Sequence, residues 1–205
     1  AKEEIPVSVV TSLLEFSYGD LEDLYRFLVD KGISVWQIQV VTGMGNIAGQ
    51  SNLLLNPNKI PLLTKFIRDK RSEGEMLVLA ADDIGYFDEN ELYLRSFPGE
   101  ITVWDGCQAG LYVVGIDSIG NVKGCESLYD ERFIEGNLRQ ESLKEIWTKD
   151  GNFSYNRNFD PSQLGGRCSG CDRAEQCRGG CRGSCFFTTD NLYENPYCAY
   201  PNRPQ

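Results

Sequence analysis

The 205 residues carry 20 Lys and Arg against 30 Asp and Glu, a formal net charge of -10, and no histidine. Without histidine, Ser-His-Asp and Cys-His catalysis and every mixed Cys/His zinc site are excluded, and the acidic balance excludes a broad phosphate-binding surface. A core of this size needs no disulfide staples, so the eight cysteines require another explanation.

No apolar run is long enough to span a bilayer, and the opening residues lack the anatomy of a signal peptide. The expected setting is a reducing cytoplasm, with neither membrane nor nucleic acid as partner, where thiols stay available for metal.

Ile5 to Val10 is β-branched and alternating, which predicts a strand ending at Thr11-Ser12. Asp20 is placed to cap a helix with Leu21, Leu24, Tyr25 and Leu28 on one face, stopped by Gly32. Val35 to Val40 reads as a strand that turns Trp36, Ile38 and Val40 one way and Gln37 and Gln39 the other. After a loop at Gly43 to Gly49, Asn56-Pro57 or Asn58 opens a second helix with Ile60, Leu63, Phe66 and Ile67 inward. Met76 to Ala80 is a wholly apolar strand of the buried parallel kind, running into Asp82 and Asp83. A βαβαβ order predicts functional groups just past the strand ends: Thr11 and Ser12, Thr42 and Gly43, Asp82 and Asp83.

The pattern changes near Trp104, where Gly and Cys become frequent. A hairpin is expected from Leu111 to Ile116 and from Asn121 to Gly124, turning at Asp117 to Gly120 and flanked by Cys107 and Cys125. One helix follows over 142–149, with a Ser142/Glu145 capping box and Leu143, Ile146 and Trp147 buried. Six of the eight cysteines then crowd into one Gly- and Arg-rich stretch, Cys168, Cys171, Cys177, Cys181, Cys185 and Cys198. Paired thiols on glycine-bearing turns can converge on a soft cation or cluster.

Written whole, Cys107-x12-Gly120-x4-Cys125, then Cys168-x2-Cys171-x5-Cys177-x3-Cys181, then Cys198, this half of the chain resembles the SPASM domain. That domain is the C-terminal extension of radical S-adenosylmethionine enzymes that mature peptides and proteins, the anaerobic sulfatase-maturating enzymes among them. Gly136-Asn137-Leu138, Leu143-x2-Ile146-Trp147, Cys181-Arg182-Gly183 and Pro196-Tyr197-Cys198 extend the likeness. The resemblance implies an α/β fold: residues 1–104 as the last three strand-helix units of a partial (βα)6 barrel, and 105–205 as a small, irregular α+β cysteine-rich domain.

It further implies two [4Fe-4S] clusters, one on Cys107, Cys125 and Cys181, the other on Cys168, Cys171, Cys177 and Cys198. Cys185 is left as a fourth ligand of the first cluster, with a buried structural cysteine as the alternative. Backbone N–H groups of Gly179, Gly180 and Gly183 are candidates for bonds to cluster sulfur, and Arg178 and Arg182 for offsetting its charge, the plainer reading being solvated surface arginines. Glu126, beside Cys125, matches a position where the sulfatase branch carries an aspartate that takes the substrate proton, and the resemblance implies that role for it, the alternative being an exposed glutamate without a role. Thr11, Ser12, Gln37 and Gln39 are the expected contacts to S-adenosylmethionine or substrate.

The motif C-x3-C-x2-C, which in this family holds the cluster that cleaves S-adenosylmethionine, is absent from the sequence. The chain is therefore expected to represent a C-terminal portion, not competent alone, with S-adenosylmethionine and a third [4Fe-4S] cluster belonging to the full-length enzyme. A peptide or protein substrate and an electron donor of flavodoxin or ferredoxin type complete the expectation. Competing expectations are a non-catalytic iron-sulfur module for electron transfer or peptide binding, a structural zinc domain with two four-thiolate sites, and a secreted disulfide protein.

Overall fold

The computed structural model describes residues 5–201. They form two compact units: one runs to Trp104 and takes in the segment from Tyr197, and the other spans Asp105–Pro196.

In the first unit β1 (Ser8–Leu13), α1 (Leu21–Asp30), β2 (Val35–Val40), α2 (Ile60–Glu73) and β3 (Leu77–Ala80) alternate. The strands make a parallel sheet in the order β1-β2-β3. Trp36, Ile38 and Val40 bury on one face of β2 while Gln37 and Gln39 stay half-buried on the other. The first face, with Leu13, Val78 and Ala80, shares a core with Leu21, Tyr25 and Leu28 of α1 and Ile60, Leu63 and Ile67 of α2. Enclosing each such side chain contributes about 1.5–3 kcal/mol, which makes this layer the main source of the unit's stability.

The first strand is displaced from its expected position. Pairing with β2 sets its register, Ser8 opposite Val35 through Leu13 opposite Val40, while Ile5 and Val7 are exposed. β-Branching at Ile5 favours extended backbone, but without a partner strand there is no ladder to join. Asp20 precedes α1 yet makes no side-chain cap bond, because a 3-10 turn at Tyr18–Asp20 leads straight into the helix. Asn56 does cap the turn before α2, accepting from the Asn58 N–H at 3.0 Å, and Pro61 sits in the first helical turn, where no N–H is needed. Gly74, at φ +78°, ends α2.

A short helix, α3 (Glu91–Arg95), follows β3 and is not evident in the sequence pattern. Its buried Glu91 accepts from the Trp104 N–H at 2.7 Å and from Arg95 at 3.0 Å. The Arg95 guanidinium lies over the rings of Tyr86 and Trp104. Gly85 trades backbone bonds with the returning tail, donating to Tyr197 and accepting from Ala199, each at 3.1 Å.

The second unit has a small antiparallel sheet of β4 (Gly115–Ile116), β5 (Asn121–Lys123) and β6 (Gly136–Asn137). Only two residues of the expected strand Leu111 to Ile116 join it. The N–H groups of Leu111, Tyr112 and Val113 all turn back on the Gln108 carbonyl at 3.0, 3.1 and 3.2 Å, so a local turn takes the donors that a ladder would need. The Asp117 carboxylate accepts from the N–H groups of Ile119 and Asn121, and Gly120, at φ +88°, closes the hairpin. Next come α4 (Leu143–Thr148), with its Ser142/Glu145 capping box formed, α5 (Ser154–Arg157), α6 (Ala174–Cys177) and α7 (Arg182–Thr189). Ile146 is fully buried, whereas Leu143, expected inward, is exposed. Among the described residues no helix is long and apolar enough to cross a membrane.

Candidate metal centre

The structure holds all eight cysteines as thiols. Seven of them belong to the second unit; Cys198 lies in the first, bridged to Gly85.

Cys107 begins a turn that α5 holds from behind. The buried Asn156 amide donates to the carbonyls of Cys107 and Ala109 at 3.2 and 2.7 Å, and Arg157 donates to the Gly110 carbonyl at 2.9 Å. Gly110 must be glycine there: its φ is +72°, and an added Cβ would collide with the side chain of Phe153. Gly106 is constrained in the same way, at φ +78° with the Arg178 stem where its Cβ would be. Cys125 follows β5, and the Tyr155 hydroxyl lies against the neighbouring Gly124. Burial pushes the Tyr155 phenol well up, and the charge of Glu135, Cys107 and Cys125 adds to it. One ring therefore lies within the electrostatic reach of both flanking cysteines.

The crowded stretch places its thiols on turns and short helices. Cys168 closes a 3-10 turn, Cys177 ends α6, and Cys181 is the N-cap of α7. Arg178, Gly179 and Gly180 all have positive φ, which folds the chain back sharply between Cys177 and Cys181. The Gly180 N–H is taken by the Cys177 carbonyl at 3.1 Å, so it is spent on that turn and not available to cluster sulfur. Other backbone N–H groups do reach thiol sulfur: Asn195 to Cys168 at 3.4 Å, Arg173 to Cys171 at 3.5 Å and Tyr200 to Cys198 at 3.4 Å. Such donors favour the thiolate that ligates metal.

Cys185 is fully buried on α7, its thiol donating to the Gly179 carbonyl at 3.1 Å. Burial pushes it well above its ordinary pKa; Arg182 pulls it back, and Cys181, Cys168 and Cys107 push it further.

Arg182 is not the solvated surface arginine of the plainer reading. It is fully buried, boxed between the rings of Tyr193 and Phe159 at 4.5 and 5.4 Å. Its Nη1 donates to the carbonyls of Arg178 and Leu192, while Nε and Nη2 are shut from solvent with no acceptor among the described residues. A buried guanidinium with two orphaned donors beside several thiols fits an anionic, sulfur-rich group. Among the described residues no three His, Cys, Asp or Glu side chains gather tightly enough to share one metal ion.

Of the other expected site residues, Glu126 is exposed, its backbone and carboxylate lying against Gly115. Ser12, Gln37 and Gln39 stand on the sheet face away from the helices, and the Gln39 amide donates to the Ser12 hydroxyl at 2.8 Å. Thr11 does not join them: it faces the helix side, where its hydroxyl accepts from the Trp36 indole at 2.9 Å. Both Thr11 and Ser12 lie within β1, not past its end, because of the shift in register. Tyr155, Asn156 and Arg157 were invisible in the sequence, since a four-residue helix has no period to detect.

Comparison with known proteins places these features. Residues 107–172 match SPASM, an iron-sulfur cluster-binding domain. The AdoMet-dependent heme synthase of Methanosarcina barkeri is 35% identical over 210 aligned positions, covering 97% of this chain and 57% of that protein. The mycofactocin maturase MftC of Mycolicibacterium smegmatis is 32% identical over 92 residues, 44% of this chain and 23% of its own. The chain thus spans little more than half of one relative and about a quarter of the other. In fold it is similar to native anSMEcpe with bound AdoMet and Cp18Cys peptide, with a TM-score of 0.57 at 17% identity over 93% of this chain and 52% of that one.

Proposed function

We propose that the chain belongs with the radical S-adenosylmethionine proteins that carry a SPASM iron-sulfur domain, as the auxiliary-cluster portion of an enzyme acting on a peptide or protein; the SPASM match and the two relatives support this. The observation that carries this reading is the fully buried Arg182 guanidinium, two of its donors left without an acceptor, on the same short helix as Cys185 and directly after Cys181. Cys107, Cys125 and Cys181, with Cys185 as the fourth candidate, would hold one [4Fe-4S] cluster, and Cys168, Cys171, Cys177 and Cys198 the other. Bound there, such clusters supply one-electron redox chemistry at potentials anywhere from about -700 to +450 mV.

The chain's own residues hold and orient. Asn156 and Arg157 fix the Cys107 turn through its carbonyls, and the N–H groups of Arg173, Asn195 and Tyr200 steady the sulfurs of the second set. The layout of the sheet supports a partial barrel whose polar inner face, with Ser12, Gln37 and Gln39, meets S-adenosylmethionine or substrate. Glu126, exposed next to Cys125, is the candidate carboxylate for exchanging a proton with that substrate.

A second reading concerns the substrate alone. The heme synthase likeness runs over nearly the whole chain, whereas the maturase likeness covers less than half, which makes a substrate of heme synthesis the alternative to a peptide. Substrate-dependent cleavage of S-adenosylmethionine by the longer protein, assayed with a peptide and with a heme precursor, separates the two.

The cluster assignment is tested by iron, sulfide and zinc content with Mössbauer spectra on protein prepared without oxygen. About eight irons and eight sulfides per chain are expected. Two zincs without sulfide would overturn the redox function and leave a structural domain.

A further inference from the structure

Arg182 is the one arginine of the cysteine-rich stretch that the sequence gives no reason to bury. Arg173 and Arg178 are not enclosed to the same degree, yet Arg182 has no exposed surface at all. Removing a guanidinium from water without a counter-charge is costly, and such groups persist where an anion completes them. No ion pair to a carboxylate is made by Arg182 among the described residues.

Its donors are divided. Nη1 bonds two carbonyls, Arg178 at 2.5 Å and Leu192 at 3.0 Å, which together with the flanking rings of Tyr193 and Phe159 fix the plane of the group. Nε and Nη2, on the remaining edge, are buried without an acceptor. The Ser184 hydroxyl, two residues further along α7, is also buried without a partner. The residue before Arg182 is Cys181, and the Cys185 thiol, one turn along α7, donates to the Gly179 carbonyl, next in the chain to the Arg178 carbonyl that Nη1 holds. An anionic, sulfur-rich group on the cysteines that flank Arg182 in the chain has the chemistry that this edge lacks.

We propose that Arg182 is a buried counter-cation of the cluster that Cys181 ligates, donating Nε–H and Nη2–H to its sulfur and holding its reduction potential up. The inference rests on the cluster reading above and goes beyond it by naming what tunes one cluster against the other. A fixed positive charge and two charge-assisted hydrogen bonds stabilise the more negative, reduced state. Arginine suits the role because its planar fork lets one edge grip the backbone while the other faces the ligand; lysine keeps the charge but has neither the fork nor the ring stacking. Arg182 is a positioning and tuning residue in this account, since no bond to it is made or broken.

The test uses the whole chain loaded anaerobically with iron and sulfide, followed by EPR-monitored redox titration of the unaltered protein, R182Q and R182K. With iron content unchanged, R182Q should move one of the two midpoint potentials to more negative values and leave the other in place. The shift in R182K should be smaller. Two unchanged potentials in R182Q at full loading would overturn the proposal. Should R182Q fail to hold iron, R182K decides: wild-type loading there means that the charge is what the cluster requires, and equal loss means that Arg182 only fills space. Failure of the cluster reading itself is distinguishable, because the unaltered chain would then take up zinc without sulfide.

Discussion

Asp83 follows β3 with one carboxylate oxygen, Oδ2, accepting from the Val40 N–H at 3.1 Å and the other, Oδ1, buried without a partner. Burial raises its pKa to about 7 despite the Val40 bond. A carboxyl group with a folded pKa above its unfolded value of about 3.9 stabilises the fold below about pH 4, and that contribution is lost as the pH climbs to 7. The loss is on the order of 4 kcal/mol. Asp83→Asn should remove this slope, so that its urea midpoint changes less than that of the unaltered chain between pH 4 and pH 7 and exceeds it at pH 8. An undiminished slope in the variant would assign the pH dependence elsewhere. The sequence placed Asp83 at a strand end, where functional groups are expected. Its burial depends on how the strand ends pack, which no local pattern records.

Elements whose hydrogen bonds are local were legible. The Ser142/Glu145 box formed as expected, with the Ser142 N–H and hydroxyl both donating to the Glu145 carboxylate at 2.8 Å, which holds that carboxyl below its usual range. Ser142→Ala should cost about 1 kcal/mol in urea unfolding without altering iron content; a loss of iron would mean that α4 supports the metal centre. The strand at Val35 to Val40 was equally plain, because its period-2 pattern is strong and one face is fully enclosed. β1 was not, since its two ends are set by the partner strand. The short helices α5, α6 and α7 were missed for a different reason: they are held by contacts from elsewhere in the chain, such as Asn156 on the Cys107 carbonyl, and by turns built on positive φ.

At the scale of the molecule the ligand partition has a direct consequence. If the proposed partition holds, Cys181→Ala removes a ligand from the first set and none from Cys168, Cys171, Cys177 and Cys198, so iron and sulfide should both fall by about half; loss of all iron would overturn the partition. The ordered spacing of the cysteines and the glycine at 120 already pointed to the SPASM domain that residues 107–172 match, because such a pattern is carried by identity and spacing along the chain. The alternation of strands and helices likewise specified a parallel α/β unit, because periodicity reports which faces are apolar. What only the tertiary structure decided is the company each side chain keeps. It took Thr11 to the helix side of the sheet, returned the tail from Tyr197 to the first unit, and buried the Arg182 guanidinium with two donors unspent. Burial and electrostatic neighbours arise from residues far apart in sequence, so a single chain read in order carries no signal of them.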